Sequence, residues 1–263
     1  MRLALLALIL VPSLMADAPP DFQWTGYVPP DQAVEIQTIN GNIRVELTDR
    51  PDVEVAVFKT GSRPDPATVP IEMTFYEGGV VFCAVYPSSN PARPNRCTPG
   101  GGNNSVTLTD SDLRIDFIVR VPAGVAARLR TVNGSIEANV PPNAVDAAAV
   151  NGRMTITARD AKAVLVNGSI LASLGNAAWT GSRDLATVNG SIDVEVLASA
   201  NVSVNAHTLR GTITTDFPIA VRTNFIGVSL DGVIGTGEAA LRMNTVNGSV
   251  HLRSSTPPDN VQN

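Results

Sequence analysis

The stretch Thr187-Val188-Asn189-Gly190-Ser191-Ile192 decides the fold, because variants of it return along the chain. They stand at Thr131–Ile136, Ala149–Met154, Leu165–Ile170, Thr208–Ile213, Ser229–Ile234 and Thr245–Val250, and an earlier copy stands alone at Thr38–Ile43. The repeat glycines Gly134, Gly152, Gly168, Gly190, Gly211, Gly232 and Gly248 lie 18, 16, 22, 21, 21 and 16 residues apart. That is the length of one coil in a repeat structure whose unit cannot bury its apolar face alone and must stack on its neighbours.

The rows around each glycine show the local conformation. Two residues before it stand Val132, Val150, Val166, Val188, Leu209, Leu230 and Val246, and two residues after it Ile136, Met154, Ile170, Ile192, Ile213, Ile234 and Val250. The residue immediately before is Asn133, Asn151, Asn167, Asn189, Arg210, Asp231 or Asn247. Asn-Gly between β-like runs ordinarily signals a two-residue hairpin. A hairpin at Asn189-Gly190 would set Val188 opposite Ser191 and Thr187 opposite Ile192, mixing apolar and polar residues on both faces. Period-2 alternation through the glycine instead predicts a continuous half-buried strand with Val188, Gly190, Ile192 and Val194 inward. The glycine then marks a bend or a close backbone approach. Stacked in chain order, the copies would place Arg210 and Asp231 on neighbouring strands.

The expected fold is therefore all-β, with parallel β-solenoid (β-helix-like) repeats over residues 126–253. A strand-rich N-terminal region over residues 31–125 precedes them. In that region Ile71 to Tyr86 reads as a hairpin turning at Gly78-Gly79, and Leu113 to Val121 as a strand. Cys83 and Cys97, the only two cysteines, flank a segment rich in Pro, Asn and Ser and are read as a disulfide pinning a long loop. A closed loop of that size contributes on the order of 3 kcal/mol in the chain-entropy picture.

Composition narrows the function classes. The net charge is −5 and charged residues make up only 16%, with no Lys/Arg run, which argues against nucleic acid and anionic membranes as partners. Aromatics at 5% leave the core to Val, Ile, Leu and Ala, which suits narrow β structures. Residues 1–18 read as a signal peptide. Arg2 is its charged start, Leu3 to Leu14 its apolar stretch, and Ala16-Asp17-Ala18 a small-residue cleavage site. The mature chain is thus expected to be extracytoplasmic, in the periplasm, at the cell surface or secreted, with no transmembrane segment. Residues 254–263 read as a polar tail.

Several segments together resemble the bacterial domain-of-unknown-function family labelled "putative adhesin". They are GTGEAALRMNTVNGSVHL (Gly235 to Leu252), DFIVRVPAGV (Asp116 to Val125), the FCAVYP…NRCTPGG loop (Phe82 to Gly101) and DFPIAV (Asp216 to Val221). The resemblance covers roughly residues 34 to 253. It implies a β-solenoid with strand-rich flanks and brings no catalytic residues.

Candidates for chemistry are few. His207 and His251, the only histidines, have no metal-ligand spacing. Asp110, Asp112 and Asp116 could share a calcium ion but lack the Gly and distal Glu of a calcium loop. Asn-Gly-Ser matches a glycosylation acceptor, but its regular recurrence at one position explains the match better. Ser135, Ser169, Ser191 and Ser249 have no His and acid pattern beside them. β-Helix enzymes acting on acidic polysaccharides stack carboxylates on adjacent coils. The row three residues past each glycine, Glu137, Thr155, Leu171, Asp193, Thr214, Gly235 and His251, stacks none. The expectation is a binding, adhesin-like or scaffolding role at the cell envelope, without catalysis, cofactor or metal. Glycans or other envelope proteins are the expected partners, and the row Asn133, Asn151, Asn167, Asn189 and Asn247 the expected interaction row. A polysaccharide lyase or hydrolase with a loop-built site is the alternative.

Overall fold

The computed structural model describes residues 19–88, 90, 92–100, 111–175 and 177–255. The signal-peptide reading of residues 1–18 and most of the polar tail lie outside the described residues. The described part is all-β. The first strands are β1 (Phe22–Gly26), β2 (Ala33–Gln37), β3 (Ile43–Leu47) and β4 (Val53–Thr60). The hairpin β5 (Ile71–Tyr76) and β6 (Gly79–Ala84) and the strand β7 (Arg114–Val121) follow. The repeats supply β8 (Ala126–Asn133), β9 (Ile136–Asn151), β10 (Met154–Asn167), β11 (Ile170–Ser173), β12 (Ser182–Asn189), β13 (Ile192–Leu197), β14 (Val202–Arg210) and β15 (Ile213–Thr215). The chain ends with β16 (Val221–Asn224), β17 (Gly227–Ile234), β18 (Ala239–Asn247) and β19 (Val250–Ser255).

Six times a strand stops at the Asn or Arg of a repeat and the next begins two residues beyond the Gly. The strands before the corner form one parallel wall in the order β2, β8, the second half of β9, the second half of β10, β12, β18, β14. Those after the corner form a second, in the order β3, the first half of β9, the first half of β10, β11, β13, β19, β15. Both walls feed one hydrophobic cluster. In the second wall Ile43, Ile136, Met154, Ile170, Ile192, Val250 and Ile213 stand in register and buried. Each such side chain contributes about 1.5–3 kcal/mol by leaving water.

Parallel pairing ends at both extremities. At one, β6 lies parallel to β2 and β5 closes on it antiparallel, while β7 beside β3 carries β4 and β1 antiparallel. At the other, β17 and then β16 add antiparallel to β14. The sheet is therefore large, open and mixed. The hairpin β5–β6 pairs Tyr76 with Gly79, so it turns at Glu77-Gly78, one residue earlier than the sequence suggests.

Three expectations need correction. The valine row does not face inward: Val132, Val150, Val166, Val188, Leu209 and Val246 are 37% to 46% exposed. The inward residues are their predecessors Thr131, Ala149, Leu165, Thr187, Thr208 and Thr245. Thr131 and Ile136 are five positions apart and both buried, so no single alternating strand can contain them. The chain turns a corner at Asn-Gly and the alternation restarts beyond it. Second, the copies do not stack in chain order. The last copy, Thr245–Val250, sits between Thr187–Ile192 and Thr208–Ile213. Third, Ser229–Ile234 is not a rung of either wall. It lies in β17, antiparallel to β14, with Asp231 opposite Asn205 and not Arg210. Its Leu230 is buried, whereas Leu209 is exposed. Conversely, the isolated copy Thr38–Ile43 is a full rung, with Asn40 bridged to Asn133.

Candidate interaction face

The corner is built from backbone upward. Its glycines form a column in which each rung's chain nearly touches the next. A Cβ on Gly134 would lie 1.8 Å from the carbonyl oxygen of Gly41, and one on Gly190 would lie 1.8 Å from that of Gly168. No side chain fits there, which is why the repeat requires glycine. The glycine N–H donates to the carbonyl of the adjacent rung's corner residue, as Gly134 does to Asn151 and Gly190 to Asn247, both at 2.9 Å.

Two side-chain ladders flank this column. Inside, Thr131, Thr187, Thr245 and Thr208 donate their buried hydroxyls to the carbonyls of Gly41, Gly168, Gly190 and Gly248 at 3.1, 3.2, 2.9 and 2.7 Å. Ala149 and Leu165 occupy the same row without a hydroxyl. Outside, the asparagine amides bond in one direction. Asn133 Nδ2 donates to Asn40 Oδ1, Asn151 to Asn133, Asn167 to Asn151, Asn189 to Asn167 and Asn247 to Asn189, at 2.7 to 2.9 Å. All five residues of the expected interaction row are therefore brought together in an exposed line. Asn40 is a sixth member, whose signal was the isolated TINGNI copy in the sequence. Each interior amide uses one N–H and one lone pair on its neighbours and retains one of each for solvent.

The other candidates are placed as follows. The Cys83–Cys97 disulfide is formed, with Cα atoms 5.4 Å apart. It pins the segment after β6 against the first wall, where the side chain of Asn95 donates to the carbonyl of Tyr86 at 2.9 Å. Burial pushes the Tyr86 phenol above its usual range. Gln37, Tyr86, Asn95, Arg130, Val132 and Val164 line part of a cleft of about 290 Å³ beside this loop. Arg130 pairs with Asp146 at 3.0 Å.

His251 Nδ1 lies 2.8 Å from Asp193 Oδ1, and Arg253 donates to the same oxygen at 3.0 Å. His207 lies on another strand of the first wall, opposite Ser229 of β17. Asp110 is outside the described residues. Asp112 accepts the backbone N–H groups of Ser62 and Arg63 at 2.8 and 2.6 Å, and these bonds hold its carboxyl below the usual range. Asp116 accepts the Asn42 N–H at 2.6 Å. Both aspartates thus hold backbone N–H groups of neighbouring segments. Glu54 is likewise held low, first by its bond to Arg50 and further by Arg120. The buried carboxylate of Asp160 accepts from Arg159 at 3.1 Å and Arg183 at 2.7 Å. No group of three or more His, Cys, Asp or Glu among the described residues is arranged to hold a metal ion.

Sequence reasoning missed two outward rows of the first wall: the exposed aliphatic stripe, and a charged row running Arg128, Asp146, Lys162, Asp184, Arg242 across successive strands. Their alternation emerges only once strand register is known. Among the described residues no helix is long and apolar enough to cross a membrane.

No family model matches the chain, and no curated protein matches it. It is similar to several solved structures, among them two that cover most of this chain. One is the "putative cell adhesion protein" of Clostridium sporogenes, at 11% identity and a TM-score of 0.47, covering 89% of this chain and 99% of that one. The other is the "putative adhesin" of Bacteroides fragilis, at 9% identity and a TM-score of 0.24, covering 88% of this chain and 96% of that one.

Proposed function

We propose that this chain is a non-enzymatic β-solenoid that binds or scaffolds outside the cytoplasm, at the cell envelope, and that its asparagine corner is the face offered to glycans or envelope proteins. The observation that carries the reading is the unbroken line of six asparagine amides, each with hydrogen-bonding capacity left for solvent. Successive amides stand one strand spacing apart, about 4.8 Å, so contacts that are weak singly add along the row. The solenoid reading is supported by the parallel, in-register rungs on both sides of the corner. The extracytoplasmic location is supported by the disulfide, which persists in oxidising compartments. The non-enzymatic reading is supported by the acids named above, which are engaged by arginines, backbone amides or His251. General acid–base work needs a carboxylate or histidine free to exchange its proton in a pocket.

The test replaces Asn133, Asn167 and Asn189 together by Ser and measures binding to a glycan array well below the melting temperature. The expected result is loss of binding with the circular dichroism spectrum unchanged. Turnover of an acidic polysaccharide by the purified protein, abolished by a single Asp or Glu substitution, would overturn the reading.

A further inference from the structure

The two walls differ in what they show to solvent. The second wall presents a row beside the corner that is polar except at the exposed Leu171: Arg44, Glu137, Thr155, Leu171, Asp193, His251 and Thr214. Beside the same corner the first wall presents Val132, Val150, Val166, Val188, Val246 and Leu209, all in register and each more than a third exposed. Val164, 53% exposed, widens this stripe between the flanking Ala148 and Ala186. Single exposed aliphatics are ordinary, whereas a contiguous run over six strands marks a contact surface.

The charged row four residues before the stripe indicates the partner. In strand register Arg128 stands beside Asp146, which also bonds Arg130 of the same chain at 3.0 Å, Asp146 stands beside Lys162, and Asp184 beside Arg242. One step before the Ala163–Leu185 pair, Lys162 stands beside Asp184. The row therefore reads + − + − +. Reversed and shifted by one strand, such a row meets itself with opposite signs. A two-fold axis parallel to the strands, passing between β10 and β12, makes that apposition. It sets Lys162 against the second copy's Asp184 and Asp146 against its Arg242. The same rotation lays valine stripe on valine stripe.

We infer that the outer face of the first wall is a self-complementary interface that pairs two copies of this chain about such an axis, with their stacks running antiparallel. The inference does not rest on the glycan-binding reading, because the asparagine corner stays at the rim. At strand spacing of ~4.8 Å and a rise of ~3.3 Å per residue, the patch measures roughly 15 by 25 Å. Two such faces together cover on the order of 750 Å², below the ~1,200 Å² of a standard specific interface, which gives a weak, reversible dimer. Two-fold, same-patch contacts are the commonest form of association between identical chains.

The test is light scattering after size exclusion over a range of micromolar concentrations, with circular dichroism to confirm folding of each variant. The wild-type chain is expected to approach twice its monomer mass. Val166→Glu and, independently, Val188→Lys should return it to monomer with the spectrum unchanged. Lys162→Glu and Asp184→Lys each place like charges across the axis, and each alone should weaken the dimer by about tenfold or more. Mixing those two variants sets opposite charges across the axis again and restores association. A wild-type chain that stays monomeric at every concentration overturns the inference. So does a dimer that survives both valine substitutions, or a mixture that fails to associate. Loss of glycan binding in the asparagine variant with the dimer intact would separate the two readings.

Discussion

The copies at Thr187–Ile192 and Ser229–Ile234 have the same apolar spacing, yet only the first is a rung. In the first, Thr187 donates to the Gly168 carbonyl and Asn189 bonds both its neighbours, while Gly190 admits the adjacent chain. In the second, Ser229 replaces Thr, and Asp231 has no N–H to pass along a ladder. A Cβ on Gly232 would first meet the side chain of Ile219, where one on Gly190 would first meet a backbone carbonyl. Asp231 instead accepts from Asn205 across an antiparallel pair. A rung is thus defined by the polar residues that bond across the stack, and apolar period alone does not distinguish it from an ordinary edge strand.

Substitutions at matching positions sharpen the contrast. The largest difference is expected at the glycines. Gly190→Ala would push a methyl to within 1.8 Å of a backbone oxygen that cannot move without shifting a rung, costing about 3 kcal/mol or more in urea unfolding. Gly232→Ala meets the side chain of Ile219, with Cγ2 at 2.5 Å, and because that half-buried side chain can shift where a rung's backbone cannot, a smaller loss of about 1–2 kcal/mol is expected. Equal losses at the two sites would remove the column as the reason for glycine.

The threonine row should show a smaller gap. Thr187→Val deletes a buried donor to a glycine carbonyl and should cost about 1 kcal/mol, whereas Ser229→Val should be near neutral. A neutral Thr187→Val would mean that the hydroxyl ladder does not stabilise the stack. The smallest effect is expected in the asparagine row. Asn189→Asp removes the amide donor to Asn167 and should lower stability by about 0.5 kcal/mol at neutral pH, the two groups being exposed. The loss should shrink as pH falls through the aspartate's range, because a protonated carboxyl regains a donor. A loss that grows on acidification would contradict the ladder.

Much of this architecture was legible beforehand. The β class and the disulfide follow from spacing and residue type, and the asparagines lie outward as expected, though beside a valine row that was expected inward. Two things did not. The inward choice between Thr187 and Val188 depended on a corner that resets the alternation, and a polar Thr was acceptable inside only because a glycine carbonyl waits for its hydroxyl. The stacking order was also hidden. The chain leaves the stack after β13, forms β14 to β17 at the end, and then returns through β18 and β19 to fill the place beside β12 and β13. Chain order is the default for stacked copies, and nothing in the copy Thr245–Val250 marks it as the one inserted. The self-complementary charge row was hidden for the same reason, since it depends on that order.

The stacking order is therefore the claim on which the corner, the ladder and the paired face all depend. Nuclear Overhauser contacts between side-chain amides test it most directly. A strong contact is expected between the amides of Asn189 and Asn247, 58 residues apart, with Arg210 beyond Asn247 and out of reach of Asn189. A contact between Asn189 and Arg210, with none between Asn189 and Asn247, would show the copies stacked in chain order and contradict it.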